Sequence, residues 1–246
     1  MSVLVVTGTG TEIGKTIVTA AVAAASAGRR VAVLKPAQTG LRPGEPGDAA
    51  EVVRLAGSHV TAVELARFPE PLAPATAARR AGLAPVRPYE VAEAAEKLAA
   101  EHDLVLVEGA GGLLVRFDDD GATLADAARL LSAPVLVVAP AGLGTLNSTA
   151  LTAEALRARG LDCLGVVVGS MPAEPDLAER CNLTDLPVAA GAPLLGVVPA
   201  GAGSLRPAEF RARAGSWLAA QLGGVRPADR PAGLGGRADT LGERPG

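Results

Sequence analysis

The sequence predicts an α/β fold, in which a single-domain, doubly wound, mainly parallel β-sheet is flanked by helices. Six short apolar runs do not alternate with polar residues, which is typical of strands covered on both faces. Ala-rich segments of helical length separate these runs, and this strand–helix–strand order favours parallel pairing. The 246 residues suffice for one such domain, which we place at 1–222, or at most for two small ones. Residues 223–246 are rich in Gly, Pro and Arg without periodicity, so we expect a disordered tail there.

The predicted strands are short and mostly β-branched, and they cover residues 3–6, 31–34, 104–107, 135–138, 164–168 and 194–198. The predicted helices lie between and after the strands, at residues 16–27, 49–56, 89–101, 124–131, 148–159 and 207–222. Several helices are followed by a glycine that could form the C-cap, namely Gly28, Gly57, Gly160 and Gly223. Ligands of such sheets bind at the carboxyl ends of the strands, so we expect chemically active residues directly after the apolar runs.

The amino-acid composition limits the possible functions. Apolar residues make up 49% of the chain but aromatic residues only 2%, so the core must be built from Ala, Val and Leu. A net charge of −3 and the lack of aromatic stacking platforms argue against nucleic acid as a partner. The sequence has no apolar run of bilayer length and no signal-peptide pattern, so we expect a cytoplasmic protein with no membrane partner.

The cysteines and histidines give no sign of a disulfide framework, a metal cluster or a catalytic pair. Cys163 is expected where a strand begins, as a small buried residue, and Cys181 is expected in a loop or short helix. His59 and His102 are isolated from carboxylate pairs, so we expect them in solvated loops or at helix ends.

The first predicted strand runs into a glycine-rich turn with the sequence Gly8-Thr9-Gly10-Thr11-Glu12-Ile13-Gly14-Lys15-Thr16. A buried strand, such a turn and a following helix are together typical of a phosphate-binding loop, or P-loop. Its glycines let backbone N–H groups converge on phosphate oxygens, and the positive end of the helix points at the same anion. Lys15 would contact the β- and γ-phosphates of a nucleoside triphosphate, and the Thr16 hydroxyl would bind Mg²⁺.

The spacing of this loop is unusual, because Gly8 and Gly14 enclose five residues where the common form has four. The alternative to a phosphate site is a strand-to-helix turn that binds nothing. The hydrophobic strand before the loop and the Ala-rich helix after it favour the phosphate site.

Two charged residues follow predicted strands. Glu108 ends the strand at 104–107, where a carboxylate could be directed at Mg²⁺. Lys35 ends the strand at 31–34 and begins the segment Lys35-Pro36-Ala37-Gln38-Thr39-Gly40. Its ammonium could stabilise charge on a transferring phosphoryl group, unless it is an ordinary solvated lysine. The chain has lysine only at Lys15, Lys35 and Lys97, which indicates that a compact cation is required at the first two positions.

Three segments leave two interpretations open. Gly109-Ala110-Gly111-Gly112 indicates either close approach of the backbone to a ligand or a tight turn. Asp48 is a good N-cap for the helix at 49–56, and a metal role would require its loop to fold back toward Thr16 and Glu108. Gly142-Leu143-Gly144-Thr145-Leu146-Asn147 could form a second anion site at a helix start or a simple cap.

Together these motifs resemble the dethiobiotin synthetase family, over residues 1–222 of this sequence. The five-residue spacing belongs to the match, because Gly-Thr-x-Thr-x-x-Gly-Lys-Thr is that family's form of the P-loop. The other family motifs are matched in the same order by Lys35-Pro36…Thr39-Gly40, Glu108-Gly109-Ala110-Gly111-Gly112 and Gly144-Thr145-Leu146-Asn147. The combination is far more specific than any single motif.

The resemblance implies a cyclo-ligase that uses ATP and Mg²⁺. The diamine 7,8-diaminononanoate would react with CO₂ to give a carbamate on one amine, and the carbamate would attack the γ-phosphate of ATP. The second amine would displace phosphate and close a cyclic urea, giving dethiobiotin, ADP and phosphate. The family is a homodimer with substrate at the interface, so the resemblance implies a homodimer here as well.

The resemblance also implies roles for individual residues. Lys35, Lys15, Thr11 and Thr39 would be catalytic through contacts with carbamate and phosphoryl oxygens. ATP would be bound by Gly10, Thr11, Glu12, Ile13, Gly14, Lys15, Thr16, Ile17 and Glu108. The Mg²⁺ ligands would be Thr16, Asp48 and Glu108. The diamine would lie along Thr39, Gly111, Gly112 and Leu113, and its carboxylate would bind Gly144, Thr145, Leu146 and Asn147 of the partner subunit.

The region expected to bind the nucleotide base departs from the family pattern. Relatives often carry an Asn after the fifth strand, where it reads the adenine edge, whereas this chain has Gly169-Ser170-Met171-Pro172. Because Gly169 offers only backbone groups, we predict that the protein uses other nucleoside triphosphates as well as ATP. Gly169 and Ser170 would still contact the nucleotide, and Pro199, Ala200 and Gly201 would line the base pocket.

Two other functions are compatible with a P-loop fold. A synthetase of the cobyrinate-amidase type usually carries a glutaminase domain with a nucleophilic Cys, and neither cysteine here has Gly-rich elbow surroundings. A nucleotide-switched partitioning ATPase places an extra Lys early in its P-loop, where this chain has Thr9 and Gly10.

Overall fold

The computed structural model describes residues 2–224. Of the tail predicted at 223–246, residues 225–246 lie outside them. The strands are β1 (Val3–Gly8), β2 (Val31–Thr39), β3 (Val60–Phe68), β4 (Leu104–Gly112), β5 (Val135–Ala139), β6 (Cys163–Met171) and β7 (Leu194–Pro199). The helices are α1 (Lys15–Ala25), α2 (Asp48–Ala56), α3 (Pro74–Ala81), α4 (Pro88–Glu101), α5 (Leu124–Leu130), α6 (Thr145–Arg157), α7 (Leu177–Ala190) and α8 (Pro207–Ala214).

The seven strands form one sheet in the order β3-β2-β4-β1-β5-β6-β7, and every pairing between neighbouring strands is parallel. β1 lies at the centre of the sheet. β2, β3 and β4 lie on one side of it, and β5, β6 and β7 lie in this order on the other side. The predicted doubly wound α/β fold is therefore confirmed. Since all strands run in the same direction, their carboxyl ends meet at one edge of the sheet.

Two apolar layers cover the two faces of the sheet. Successive residues of β1 show the alternation, because Val5 belongs to one buried cluster while Leu4 and Val6 belong to the other. Helices α1, α2 and α8 pack on the face of Leu4 and Val6, and α3 to α7 pack on the opposite face. Burial on both faces explains why the central strands are continuous apolar runs rather than alternating ones.

Three elements were absent from the sequence prediction, namely β3, α3 and α7. The edge strand β3 has the sequence VTAVELARF and exposes much of its length, so it lacks the continuous apolar run of a central strand. Helix α7 begins with a capping box, in which Asp176 Oδ1 accepts from the Glu179 amide at 2.8 Å and Glu179 Oε2 accepts from the Asp176 amide at 2.8 Å.

The prediction of one helix over 207–222 was wrong in its second half. Helix α8 ends at Ala214 and two short 3₁₀ turns follow, at Gly215–Trp217 and Ala220–Leu222. The chain becomes extended at Leu218, which forms an antiparallel bridge with Gly196 of β7. Trp217 packs edge-on against Phe210 with 5.2 Å between the ring centres, and these contacts replace a further helical turn.

The two histidines lie where the sequence predicted, but the expectation for Cys181 was wrong, because it lies on a helix of 14 residues rather than in a loop or short helix. Cys163 is the half-buried first residue of β6, and Cys181 is exposed on α7. His102 is the C-cap of α4 and contacts the Leu98 carbonyl oxygen at 2.9 Å through Nδ1. His59 lies in the turn before β3. Among the described helices, none combines the length and apolar character needed to cross a membrane.

Candidate active site

The carboxyl ends of β1, β2 and β4 surround a cavity of about 770 Å³. Many of the residues singled out from the sequence line this cavity together: Thr11, Glu12, Gly14, Lys15, Thr16, Ile17, Lys35, Thr39, Asp48, Glu108 and Gly111. They come from four separate parts of the chain, and the parallel sheet brings them to one place. The residues predicted after β1, β2 and β4 therefore lie together at the carboxyl edge of the sheet.

The P-loop connects β1 to α1 and curls tightly around its own backbone. Gly14 is the N-cap of α1 with a φ of 92°, a left-handed conformation that glycine adopts without strain. A Cβ on Gly8 would lie 2.7 Å from Ile13 Cδ1 and 3.0 Å from the Gly10 backbone oxygen, so the loop would have to shift to accept a side chain there. The loop therefore directs the N-terminus of α1 at the cavity, as an anion site requires.

Lys15 lies within this loop and is buried. Its Nζ donates a hydrogen bond to the Gly10 carbonyl oxygen at 2.7 Å. Burial lowers the pKa of Lys15 to about 8, and the nearby Lys35 cation adds to the decrease. A phosphate group in the cavity would offer Lys15 a stronger partner than the loop carbonyl does.

Lys35 is the central cation of the cavity and is only 3% exposed. Its Nζ lies 2.9 Å from Glu108 Oε1, 2.5 Å from Asp48 Oδ2 and 3.0 Å from the Gly109 carbonyl oxygen. Burial by itself would lower the pKa of Lys35, but the two carboxylates outweigh burial and raise the pKa above its ordinary value. Lys35 is therefore a fixed, charged group, and the alternative of a solvated surface lysine is wrong.

Glu108 connects Lys35 to the P-loop. Its Oε1 accepts a hydrogen bond from Thr16 Oγ1 at 2.9 Å as well as one from Lys35. Its Oε2 is buried and has no hydrogen-bond partner among the described residues. An unpartnered carboxylate oxygen beside a threonine hydroxyl suits a hard divalent cation such as Mg²⁺.

Asp48 is the second carboxylate at this position. Gly47 is the N-cap of α2 and Asp48 is its first helical residue, so the capping alternative for Asp48 is wrong. The loop before α2 folds back, as a metal role requires, and the Asp48 carboxylate faces Lys35 across the cavity. Within residues 2–224 no group of three His, Cys, Asp or Glu could hold a metal alone. A cation here would therefore need the Thr16 hydroxyl and oxygens from phosphate or water as well.

Several cavity residues had no role in the sequence analysis. Gln38 lies within the quoted segment after Lys35, where its buried amide contacts α2. The apolar wall of the cavity comes from Pro71, Leu72, Ala73, Pro74 and Val115. The first four of these follow β3, so the rule that ligand residues follow strands would have found them if β3 had been predicted.

The glycines after Glu108 continue β4 rather than forming a tight turn, since the strand extends to Gly112. A Cβ on Gly109 would lie 2.5 Å from Leu124 Cδ2, and Gly111 has a φ of 73°. Gly111 lines the cavity, whereas Gly112 and Leu113 lie outside its lining and Leu113 is buried in the core.

The start of α6 is at the same edge of the sheet but outside this cavity. Gly144 is the N-cap with a φ of 88° and no side chain caps the helix, so Asn147 is not a capping residue. The Thr145 hydroxyl is buried without a hydrogen-bond partner in the described chain. Asn182 of α7 holds the preceding loop, because its Nδ2 donates to the carbonyl oxygens of Ala141 at 2.7 Å and Gly142 at 3.2 Å.

Gly169, at the end of β6, lies directly beneath the P-loop. A Cβ on Gly169 would collide with the backbone oxygen of Ile13, and a Cβ on Gly14 would collide with the backbone oxygen of Gly169. The P-loop backbone occupies the space that a side chain at position 169 would need. This explains why the chain has Gly169 where relatives often carry Asn. Ser170 is exposed beside it.

The loop after β7 packs beside this region. The amide of Ala200 donates to the Met171 carbonyl oxygen at 2.7 Å, which joins the loop of Pro199, Ala200 and Gly201 to the end of β6. These three residues do not line the cavity described above.

A glycine-rich loop that joins the central strand of a parallel sheet to a helix, with a buried lysine and a threonine at its end, defines a P-loop NTPase. The family model described as AAA domain matches residues 2–207. The MinC:MinD cell division protein complex of Aquifex aeolicus has a similar fold, with a TM-score of 0.55, 15% identity and coverage of 87% of this chain and 86% of that chain. A ParA family ATPase from Chlorobium tepidum gives a TM-score of 0.53 with 13% identity, covering 85% of this chain and 90% of that chain.

Curated relatives define the family more narrowly. The ATP-dependent dethiobiotin synthetase BioD of Streptomyces avermitilis is 73% identical over 231 residues, which cover 93% of this chain and 97% of the relative. The BioD of Saccharopolyspora erythraea is 72% identical over 224 residues, covering 91% of this chain and 98% of the relative. The chain belongs to the ATP-dependent dethiobiotin synthetase family, and the resemblance found in the sequence is confirmed.

Proposed function

We propose that this protein converts 7,8-diaminononanoate, CO₂ and ATP to dethiobiotin, ADP and phosphate. The proposal rests on the buried Lys35, which lines the same cavity as the P-loop. The 73% identity of the chain to an ATP-dependent dethiobiotin synthetase supports it. A fixed cation next to a phosphate site suits transfer of the γ-phosphoryl group to an anionic acceptor. The penultimate step of biotin synthesis is such a reaction.

The reaction has three chemical steps. One amine of the substrate attacks the carbon of CO₂ and loses a proton, which gives a carbamate. A carbamate oxygen attacks the γ-phosphorus of ATP, the bond to the β–γ bridging oxygen breaks, and ADP leaves. The product of this step is a carbamic–phosphoric anhydride, whose carbonyl carbon the second amine attacks with loss of a proton. The bond between this carbon and the oxygen that links it to phosphorus breaks, and phosphate leaves as the cyclic urea forms.

The residues of the cavity act by positioning and by charge. Lys15 and the backbone N–H groups of residues 10–14 hold the β- and γ-phosphates, and Ile17 lines the same cavity. Lys35 lies between the phosphate site and the carbamate and stabilises the negative charge that both bring. Thr11 and Thr39 donate hydrogen bonds to phosphate or carbamate oxygens. Holding both reactants in one orientation supplies the rest of the rate enhancement.

Mg²⁺ would be held by Thr16, Asp48 and Glu108, with phosphate oxygens and water completing its coordination. Their hydroxyl and carboxylate oxygens are the ligand type that Mg²⁺ prefers, and the unpartnered Glu108 Oε2 supports this assignment. When bound, the ion would neutralise charge on the β- and γ-phosphates.

The diamine chain would lie along Thr39 and Gly111, against the apolar wall that includes Pro71 and Leu72. Gly112 and Leu113, which the resemblance also implied, follow Gly111 outside the cavity lining. Its carboxylate would bind Gly144, Thr145, Leu146 and Asn147 of the partner subunit in a homodimer. Leu143 is 89% exposed beside these residues, and Leu151 is exposed on α6, which supports a contact between subunits here. Light scattering on the purified protein tests the dimer, and a monomer at working concentration would refute it.

The nucleotide base would be bound by Gly169, Ser170, Pro199, Ala200 and Gly201. No side chain at Gly169 reads the base edge, so nucleoside triphosphates besides ATP would serve as substrates. We place the reaction in the cytoplasm, where these small-molecule substrates are available.

Product formation tests the proposed function. The purified protein is incubated with ATP, Mg²⁺, 7,8-diaminononanoate and bicarbonate, and dethiobiotin is detected by its mass. We expect product and ADP in equal amounts, and we expect both to require the diamine. Hydrolysis of ATP without dethiobiotin, whether or not the diamine is present, would refute the proposal.

A further inference from the structure

Helix α2 begins in an unusual way. Its first helical residue is Asp48, a residue type that commonly satisfies the free amides at a helix start. Here the Asp48 carboxylate turns away from the helix and lies 2.5 Å from Lys35 Nζ. The N-cap is Gly47, which has no side chain that could accept a hydrogen bond from the first turn.

Gln38 supplies the missing acceptor from a different element. Its side-chain Oε1 accepts a hydrogen bond from the amide of Asp48 at 2.8 Å, and its Nε2 donates to the Thr39 carbonyl oxygen at 3.3 Å. Gln38 is only 5% exposed, on β2 three residues beyond Lys35. Strand β2 therefore carries both Lys35, which contacts the Asp48 carboxylate, and Gln38, which accepts from the Asp48 backbone amide.

The edge strand β3 fixes the loop that brings Asp48 to this place. Arg67 of β3 is paired with Glu64 at 2.7 Å and donates to the carbonyl oxygens of Arg42 at 3.2 Å and Glu45 at 2.5 Å. A Cβ added to Gly47 would lie 2.8 Å from Gln38 Oε1 and would collide with Glu64 Oε1. The loop and the Gln38 side chain thus share one tightly packed space.

We propose that Gln38 is a positioning residue, which caps α2 in place of Asp48 and so keeps the Asp48 carboxylate directed at Lys35 and the metal site. The inference deepens the proposed function and rests on it for the role of the metal. The free amides of α2 and the Lys35 ammonium compete for the Asp48 carboxylate, because acidic groups are also favourable at a helix N-terminus. By accepting from the Asp48 amide, Gln38 fixes the Asp48 backbone in the position from which its carboxylate reaches Lys35. Without an acceptor at position 38, the carboxylate would turn back toward the helix.

Two substitutions separate capping from packing. Gln38→Leu keeps the volume and removes the acceptor, whereas Gln38→Glu keeps an acceptor oxygen at the same length. The matched control is Gln221→Leu, which makes the same change at an exposed position near the end of the described chain. Gln38→Asn, one methylene shorter, replaces Gln38→Leu if that variant does not fold.

The first measurement needs neither metal nor activity. The side-chain NMR signals of the lysines are recorded at one pH in the nucleotide-free protein, and crystal structures give the distance from Asp48 to Lys35. We expect Gln38→Leu to shift the Lys35 signals and to lengthen this distance, while Lys97 remains unchanged and Gln38→Glu stays close to the unmodified protein. Retention of the Asp48–Lys35 contact in Gln38→Leu would overturn the proposal.

The second measurement is the dependence of dethiobiotin formation on Mg²⁺ concentration. We expect Gln38→Leu to raise the half-saturating Mg²⁺ concentration by about 10-fold or more, the size typical of residues that orient a metal ligand, with a smaller change in the KM for the diamine. An equal defect in Gln38→Glu, or an unchanged Mg²⁺ requirement in Gln38→Leu, would overturn the proposal. If the unmodified protein formed no dethiobiotin, the proposed function would fail, whereas the lysine signals and the crystal structures would still decide the role of Gln38.

Discussion

Lys35 and Glu108 form a buried ion pair, with 2.9 Å between Nζ and Oε1 and with exposed side-chain fractions of 3% and 1%. Burying two charges is expensive, and such a pair is seldom a net source of stability. Glu108 in addition leaves its Oε2 without a partner among the described residues, which a stability role does not explain. We infer that the pair is kept for chemistry, with Lys35 directed at the transferring group and Glu108 at the metal.

Replacing Lys35 tests its catalytic role. We expect Lys35→Ala to lower the rate of dethiobiotin formation by about 10²–10³-fold, because the cation that stabilises the transferring group is lost. The substitution also leaves Glu108 buried without its cation, so the free energy of unfolding should fall by about 3 kcal/mol. Rates and denaturant unfolding are measured on the same preparation.

The control for this substitution is Lys97→Ala. Lys97 is an exposed residue of α4 that pairs with Glu93, and its removal should change the free energy of unfolding by less than about 0.5 kcal/mol. A Lys35→Ala protein that loses stability but retains its rate would remove Lys35 from the mechanism.

Replacing Glu108 tests the metal site. Glu108→Gln keeps an oxygen that can accept from Thr16 and Lys35, and it removes the negative charge. We expect Mg²⁺ to bind the nucleotide complex about 10–100-fold more weakly, while binding of the nucleotide in excess EDTA is unchanged. Titration calorimetry measures both quantities. Glu93→Gln, an exposed change on α4, should leave the Mg²⁺ affinity as it is, and an unchanged affinity in Glu108→Gln as well would exclude Glu108 as a ligand.

The pKa of Lys15, lowered to about 8 by burial and by Lys35, predicts a pH dependence of nucleotide binding. Bound phosphates favour the charged form of Lys15, so above pH 8 binding must take up a proton and the affinity should fall. Below this pH, Lys15 is already charged and little proton uptake is expected. Calorimetry in buffers of different ionisation enthalpy, at about pH 7 and about pH 9, counts the protons. Equal uptake at both pH values would show that Lys15 does not titrate in this range.

The same shift affects the stability of the free protein. The pKa of Lys15 is below its ordinary value of 10.5, so the unfolded state holds more protons than the folded state between pH 8 and 10.5. The contribution of Lys15 to the free energy of unfolding therefore rises across this window and is lowest below it.

The absence of a side chain at Gly169 predicts low selectivity for the nucleotide base. Because no side chain at this position reads the base, we expect the initial rates with ATP, CTP and GTP to agree within about 10-fold. Gly169→Ala should weaken the binding of all three nucleotides together, since the added Cβ would collide with the backbone of the P-loop. A strong preference for ATP in the unmodified protein, or a Gly169→Ala effect confined to one base, would contradict this interpretation.

The central part of the fold could be predicted from sequence because its strands are buried on both faces. β1, β2 and β4 begin as continuous apolar runs, and the cavity residues Lys15, Lys35 and Glu108 follow these runs. β3 is an edge strand with charged residues at Glu64 and Arg67, so its pattern does not distinguish it from a loop. The apolar wall at Pro71–Pro74 was missed for the same reason, because it follows an unpredicted strand.

The family resemblance suggested Asp48 as a metal ligand, but the contacts that position it could not be predicted, because they join distant segments. From sequence alone, Asp48 before a helix favours capping. In the folded chain, Gln38 occupies the Asp48 amide, and Lys35 attracts the Asp48 carboxylate. Similarly, the contact of Gly169 with Gly14 and Ile13 joins the end of β6 to the P-loop, and no local pattern indicates that contact.

Isotope transfer from CO₂ identifies the group that accepts the γ-phosphoryl group of ATP. The reaction is run with ¹⁸O-labelled CO₂, in a single turnover short enough to limit exchange of the label with water. If a carbamate oxygen attacks the γ-phosphorus, the released phosphate must carry one labelled oxygen from CO₂. Phosphate that forms together with dethiobiotin but contains no label from CO₂ would contradict transfer to the carbamate.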